Sequence, residues 1–121
     1  AFPADLQAVI KTSTIFTAPN TGNIALTATQ DDVFLLAEYE VFGSITESST
    51  QEPSYLKQYS YYSAGNSKVM YGDNVAINGS HWWERSPRFE GNNDFCTVNN
   101  GGIANRSDAY YSHGVSPCFK V

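Results

Sequence analysis

The hexapeptide WWERSP, residues 82–87, is the most distinctive run in the chain. Successive side chains of a β-strand point to opposite faces, so one tryptophan would lie in the core and the other near the surface. Arg85 is expected to make charge-assisted hydrogen bonds to backbone carbonyls or to a carboxylate, and thereby to hold irregular chain in place. A sugar-stacking role for an exposed tryptophan is the weaker alternative to this scaffold role.

The residues at the start of the chain predict a short helix followed by a strand. The helix is expected over residues 3–11, where Leu6, Val9 and Ile10 share one face at i, i+3, i+4 spacing. β-Branched residues predict a strand over 12–17. The turn-forming and polar residues that follow predict a loop over 18–32.

The most apolar run of the chain is VFLLA, residues 33–37. Its length predicts a buried strand, which the following aromatic and apolar residues would continue to residue 43. A helix over residues 52–63 would expose Glu52 and bury Leu56. In the last third of the chain Gly and Asn become frequent and apolar runs shrink to pairs, which predicts short strands joined by ordered loops.

The length of 121 residues is close to the commonest size of a single domain. We therefore predict one α+β domain over residues 1–121, with a scaffold over 1–90 and a loop-rich region over 91–119. Its net charge of −5 argues against a nucleic-acid partner. No apolar run approaches the roughly 18 residues of a membrane span, so direct membrane insertion is not expected.

Cysteines, histidines and carboxylates are the residues in which catalytic or metal chemistry would reside. Cys96 and Cys118 could pair as a disulfide or remain as two buried free thiols. Neither His81 nor His113 stands in a recognised metal-binding motif, and no nucleophile or phosphate-loop motif occurs. Oxygen-bearing side chains at 73–74, 90 and 92–94 leave a calcium site conceivable, but without fixed ligand spacing. We predict no enzyme activity, no cofactor and no metal site.

Five ordinary residue types are missing from residues 91–119. This stretch of 29 residues has no Lys, Glu, Gln, Met or Trp, whereas the first 90 residues contain 16 of them, a density that predicts about five. The stretch is instead rich in Tyr, Ser, Asn, Gly and Arg, the composition of antibody paratopes. Composition alone leaves a binding surface and an ordinary Asn/Gly-rich loop equally well supported.

Several motifs resemble a domain family of gut bacteria and their phages. DDVFLLAEYEVFG at 31–43, HWWERSP at 81–87 and GVSPCF at 114–119 match that family's F-L-L-S-x-x-E-V-F-G, W-W-x-R-S-P and G-V-x-P-x-F patterns in order. The family is similar to the C-type-lectin-like fold of formylglycine-generating-enzyme relatives, which also carries the variable proteins of diversity-generating retroelements. An upstream segment with an R-x-W-L-N pattern is absent here, so the resemblance implies the C-terminal part of a larger protein.

The resemblance also implies an origin for the missing residues. In such systems template adenines are randomised, typically at AAY codons, and the resulting NNY codons cannot encode Lys, Glu, Gln, Met or Trp. Glu90 would then belong to the scaffold. Positions expected to be fixed and structural are Phe95, Cys96, Val98, Gly102, Ala104, Ala109, Gly114, Val115 and Pro117. Positions expected to be displayed to a ligand are Arg88, Asn92, Asn93, Asp94, Thr97, Asn99, Asn100, Gly101, Ile103, Asn105, Arg106, Ser107, Asp108, Tyr110, Tyr111 and His113.

The function implied by the resemblance is ligand binding outside the cell, on a phage tail or a bacterial surface. The expected partner is a cell-surface protein or glycan, and Tyr110, Tyr111 and Arg106 are the expected anchors, because aromatic and Arg side chains dominate interface energies. The main alternative is a fixed structural or adhesive subunit of a phage tail or cell-surface appendage. A weaker one is an enzyme of formylglycine-generating type, which would need reactive cysteines. The sequence does not indicate an oligomeric state.

Overall fold

The structure is a computed structural model that describes residues 2–22, 24–70 and 81–121. It is a small α+β domain with two antiparallel sheets, so the predicted class is confirmed. Strands β1 and β2 form one sheet, and β3, β4 and β5 form the other in that order. The elements are α1 (Ala4–Val9), β1 (Ser13–Thr17), β2 (Thr27–Asp31), α2 (Glu38–Phe42), a 3₁₀ turn (Glu52–Ser54), α3 (Ser60–Ser63), β3 (Trp82–Pro87), β4 (Asp94–Val98) and β5 (Ala104–Asp108).

In the first sheet, β1 lies where a strand was predicted, whereas β2 lies in a segment that was predicted to be a loop. The helix α1 and the strand β1 lie where they were predicted, although α1 is shorter and exposes Val9. The predicted loop over 18–32 is wrong in part, because β2 pairs with β1 in the register Ile15↔Thr29. All but the last of the β2 residues are exposed. A strand with neither face buried has no alternation of apolar and polar residues by which the sequence could reveal it.

The apolar run at 33–37 is extended and mostly buried, but the predicted strand does not continue to residue 43. Phe34 makes an antiparallel bridge to Cys118, with N···O distances of 2.9 and 2.8 Å. The helix α2 then begins, and the backbone N–H of Ala37 donates to Oε1 of Glu40 at 2.9 Å. Gly43 ends α2 with a left-handed φ of 66°, a conformation that glycine adopts without strain.

The predicted helix over 52–63 is two short helical segments, and residues 56–59 between them belong to no helix or strand. Glu52 was expected to be exposed, but it is buried, and its carboxylate accepts hydrogen bonds from Tyr39 N–H at 3.1 Å and Ser48 Oγ–H at 2.6 Å. These bonds hold the first segment against the body of the domain instead of letting it lie on the surface. Leu56 is buried, as predicted.

The largest core cluster joins the two sheets and α2, and it confirms the interpretation of the tryptophan pair. Trp82 packs with Ile15, Phe34, Leu36, Val41 and Val98. Its indole Nε1–H donates to Lys68 O at 2.9 Å, so the buried ring leaves no polar atom without a partner. Trp83 lies on the opposite face of β3 and is partly exposed.

Arg85 makes the contacts predicted for it. Its Nη2 donates to Phe16 O at 2.8 Å and its Nη1 to Leu35 O at 2.8 Å, and Nη1 also forms a short ion pair with Glu40. One guanidinium therefore ties β1, the extended run at 33–37 and α2 to strand β3. It thus supplies donors to two backbone carbonyls.

Glu84 is the anomaly of the core. It is fully buried, and neither carboxylate oxygen has a hydrogen-bond partner among the described residues. Burial raises the pKa of Glu84 well above its ordinary value, and the negative charges of Glu38, Glu52 and Glu40 raise it further. Since burying an unpaired carboxylate is costly, folding favours the protonated, neutral form of this side chain.

We expect Glu84 to make the domain less stable as the pH rises. A carboxyl whose pKa is higher in the folded than in the unfolded state contributes stability that is complete below the unfolded value near 4.5 and is lost as pH rises through the folded value. Between the unfolded and the folded pKa, each increase of one pH unit would lower the free energy of unfolding by up to ~1.4 kcal/mol. Urea unfolding at several pH values gives the free energy of unfolding as a function of pH. The slope of this free energy against pH should be shallower for Glu84→Gln than for wild type. The exposed control Glu90→Gln should keep the wild-type slope, and an unchanged slope for Glu84→Gln would contradict the assignment.

Candidate ligand-binding surface

The sixteen positions predicted for display differ in exposure. The exposed ones are Asn92, Asn93, Asn100, Gly101, Ile103, Arg106, Tyr110 and Tyr111. The half-buried ones are Arg88, Asp94, Asn99, Asn105, Ser107, Asp108 and His113. Thr97 is fully buried in the central strand of its sheet, so its predicted display is wrong.

The pairing of β4 with β5 divides the predicted positions between the two faces of the sheet. Phe95 pairs with Ser107, and Cys96 pairs with Arg106, which points to the other face because successive strand residues alternate. The sequence prediction treated these positions as one surface. The structure instead brings together an aromatic group on the Phe95 side and a charged group that includes Arg106.

The aromatic group, here called the aromatic surface, consists of Trp83, Phe95, Tyr110, Tyr111 and His113. Ring centroids are 4.8 Å apart for Trp83 and His113, 6.5 Å for Trp83 and Phe95, and 4.6 Å for Tyr110 and Tyr111. Tyr110 is 74% exposed and Tyr111 is 54% exposed. Rings from β3, β4 and the segment after β5 thus form a continuous patch that presents large, stiff side chains to solvent.

His113 links this surface to the strand beneath it. Its Nε2 lies 2.8 Å from Ser107 Oγ, and its ring stacks on His81 with centroids 5.0 Å apart. Burial lowers the pKa of His113, and the neighbouring His81 lowers it further. The lowered pKa favours the neutral ring at pH 7, and the ring contacts both His81 and Trp83.

The charged group is an ion-pair network within the domain. Several residues that were predicted to contact a ligand form these ion pairs instead. Arg106 Nη1 lies 3.1 Å from Glu47 Oε1, and Arg88 Nη1 lies 3.3 Å from Asp94 Oδ2. The Asp94 side chain is only 8% exposed, so its predicted display is wrong. Gly91 belongs to the same arrangement, because a Cβ at that position would lie 2.1 Å from Asp94 Oδ1.

Asn99 shapes the turn between β4 and β5 instead of contacting solvent freely. Its Oδ1 accepts hydrogen bonds from the backbone N–H groups of Gly101 at 2.9 Å and Ile103 at 3.0 Å. This use of an Asn side chain to close a turn is common. The tip of the turn exposes Asn100, Gly101 and Ile103, as predicted.

Two pockets share Phe95 and Arg85 in their walls, and sequence reasoning missed both. An apolar pocket of about 290 Å³ is lined by Leu35, Trp83, Glu84, Arg85, Phe95 and Ala109. A second pocket of about 310 Å³ is lined by Thr17, Asn20, Arg85, Pro87, Gly91, Asn92, Asn93, Asp94 and Phe95. Phe95, Ala109, Val115 and Pro117 were expected to be structural, yet all four are exposed.

The two cysteines are free thiols, so the disulfide alternative is not realised. Cys96 is fully buried, and this burial raises the pKa of its thiol strongly. Cys118 is half-buried, and burial raises the pKa of its thiol as well. Both shifts reduce the fraction of thiolate, the reactive form.

The calcium alternative involved residues in two parts of the chain. Asp73 and Asn74 lie outside the described residues. Across residues 2–22, 24–70 and 81–121, no group of three or more His, Cys, Asp or Glu side chains could hold a metal ion. Likewise, none of the helices in these ranges is long and apolar enough to cross a membrane.

Comparison with known proteins places the chain in one family. The family described as "Domain of unknown function (DUF6273)" matches residues 1–121, the whole of the chain. The chain belongs to the DUF6273 family. No curated protein and no solved structure matches this DUF6273 chain.

Proposed function

We propose that this DUF6273 domain is a ligand-binding variable protein with a C-type-lectin-like fold. Its aromatic surface recognises a protein or glycan on a cell, and the domain acts outside the cell, on a phage tail or a bacterial surface. The observation that carries the proposal is the exposure of Tyr110 and Tyr111 at 74% and 54% on a patch of five neighbouring rings. Exposed contiguous aromatic patches mark interaction sites.

The way the domain is stabilised supports a paratope-like mechanism. The core clusters contain none of Asn92, Asn93, Asn100, Ile103, Tyr110 and Tyr111. The scaffold is held by Trp82 and by the Arg85 clamp, both on β3. Surface side chains that do not hold the fold together can be exchanged at little cost in stability, usually within about 0.5 kcal/mol each.

The composition of residues 91–119 supports diversification of this surface. The five residue types that NNY codons cannot encode are absent from this stretch, although 16 of them occur in the first 90 residues. Thr97, Asp94 and Asn99 lie in the same stretch but serve the fold, so diversification would be concentrated at the exposed positions. Tyr110 and Tyr111 are the proposed anchors, because Tyr offers a large contact area at low entropic cost.

The nucleotide sequence around the coding gene tests the proposal directly. If the surface is diversified, a near-identical repeat of the segment encoding residues 91–119 lies beside a reverse-transcriptase gene and differs only at adenines. Absence of both from the complete locus would contradict diversification. It would leave the alternative of a fixed structural or adhesive subunit of a phage tail or cell-surface appendage.

A further inference from the structure

The apolar pocket has walls from four separate parts of the chain. Leu35 comes from the extended run before α2, Trp83 from β3, Phe95 from β4 and Ala109 from the segment after β5. Strand pairing and the Arg85 clamp hold these parts together, so the pocket exists before any ligand binds. Pre-formed concave sites on rigid elements are the usual form of a binding subsite.

The two charged residues of the pocket wall are not available to a ligand. Arg85 already donates to Phe16 O and Leu35 O and pairs with Glu40, and its side chain is almost completely buried. Both oxygens of Glu84 are inaccessible to solvent. The exposed wall is therefore made of the side chains of Leu35, Trp83, Phe95 and Ala109, which offer hydrophobic contact.

The apolar wall of the pocket discriminates between protein and glycan, the two partner classes of the proposed function. A sugar placed in the pocket would bury hydroxyl groups without hydrogen-bond partners, at a cost of about 1–3 kcal/mol each. An apolar side chain would lose no hydrogen bond there. The volume of about 290 Å³ is at the lower limit of small-molecule sites, roughly 300–1,000 Å³, and suits a single side chain.

The second pocket, next to the apolar one, indicates what carries that side chain. The two pockets share Phe95 and Arg85, and Asn92 and Asn93 line the second, where the Asn20 amide already donates to Gly91 O at 2.8 Å. Asn92 and Asn93 are exposed, and amide groups can donate to and accept from a peptide backbone. A polypeptide places apolar and polar groups side by side in this way, whereas a purely apolar small molecule would leave the amide groups unused.

We infer that the partner of the aromatic surface is a protein that inserts one apolar side chain, aromatic or aliphatic, into the pocket formed by Leu35, Trp83, Phe95 and Ala109. This inference rests on the proposed function and narrows its partner class from protein or glycan to protein. The aromatic rings of Trp83 and Phe95 would contact the inserted group, and Asn92 and Asn93 would bond the neighbouring polypeptide. Buried anchors of this kind dominate the energetics of protein interfaces.

Small analogues of side chains and sugars test the inference without knowledge of the partner. Indole, p-cresol and isobutanol are titrated into the isotope-labelled domain, and the shifts of the Trp83 indole N–H and the Ala109 methyl are followed by NMR. Methyl glucoside, methyl galactoside and methyl N-acetylglucosaminide are titrated in parallel. We expect saturable shifts with at least one side-chain analogue, with Kd on the order of millimolar, and no saturable shift with the glycosides.

A variant that fills the pocket provides the matched control. Ala109→Phe should weaken binding of the analogue at least ~10-fold, whereas Ala28→Phe, at an exposed position of β2, should not change it. Should Ala109→Phe fail to fold, Ala109→Leu serves the same purpose. Failure of all analogues to bind, binding of a glycoside instead, or binding that survives in the filled pocket would each overturn the inference. None of these results would by itself contradict a role for Tyr110 and Tyr111 in binding, so the proposed function is judged separately.

Discussion

Replacement of Arg85 by Ala is expected to lower the free energy of unfolding by about 3–5 kcal/mol. The substitution leaves the buried Glu40 carboxylate without its guanidinium and the carbonyl groups of Phe16 and Leu35 without donors. Domains of this size have about 5–15 kcal/mol of total stability, so the variant would lose a large fraction of it, and nearly all of it at the lower end of that range. Urea or thermal denaturation followed by circular dichroism measures the effect.

Three further variants determine whether the clamp geometry causes this loss. Arg85→Lys keeps the positive charge, but a lysine ammonium group lacks the planar guanidinium that bonds several acceptors at once. This variant should therefore recover only part of the stability that Arg85→Ala loses. Arg85→Met combined with Glu40→Leu removes both charges and should be more stable than Arg85→Ala alone. Arg106→Ala removes an exposed ion pair with Glu47 and should cost no more than about 1 kcal/mol. Equal losses for Arg85→Ala and Arg106→Ala would show that the clamp does not hold the domain together.

The double variant Tyr110→Ala/Tyr111→Ala is expected to abolish binding to the cellular partner while the domain stays folded. Both rings are exposed and contact each other at 4.6 Å, and neither packs against a core cluster. Hydrogen bonding to Tyr111 and Asp108 raises the pKa of Tyr110 to about 12, so its hydroxyl stays protonated at neutral pH. Loss of two aromatic anchors typically weakens an interface by ~100-fold or more.

Flow cytometry of the fluorescently labelled domain on bacterial cells that bind the wild type measures this effect. Tyr61→Ala is the matched control, because Tyr61 is an equally exposed tyrosine on α3, outside the aromatic surface. The control should bind normally, and all three proteins should unfold at similar temperatures. Disappearance of the thermal transition in the double variant would show that these rings support the fold. Unchanged binding in a folded double variant would contradict the proposed function.

Local sequence patterns were sufficient for a large part of the scaffold. Strand alternation predicted that one tryptophan of the pair is buried and the other lies near the surface, and the guanidinium of Arg85 was predicted to bond carbonyls or a carboxylate. These predictions succeed because they depend on a period of two residues and on the donors of one side chain, both of which are properties of the local sequence. The α+β class follows from the same short elements.

Elements whose identity depends on distant partners were predicted less well. Strand β2 is almost wholly exposed and exists because β1 pairs with it. The helix α2 interrupts an apolar run that was predicted as a continuous strand, since Ser86 Oγ and Glu40 Oε1 accept the N–H groups at its start. Glu52 is buried because Tyr39 and Ser48 donate to its carboxylate.

The sequence by itself determined the composition of the surface stretch at residues 91–119, the position of the tryptophan pair and the class of fold. Tertiary structure alone decided which residues of that stretch face solvent: Thr97 is buried, and Asp94 is paired with Arg88. It also decided that Leu35, Trp83, Phe95 and Ala109 enclose one pocket, although they are far apart in the chain. The reason is physical. Composition and alternation depend only on residues that are close together in the chain. Burial and pocket shape instead depend on contacts between segments that only the folded chain brings together.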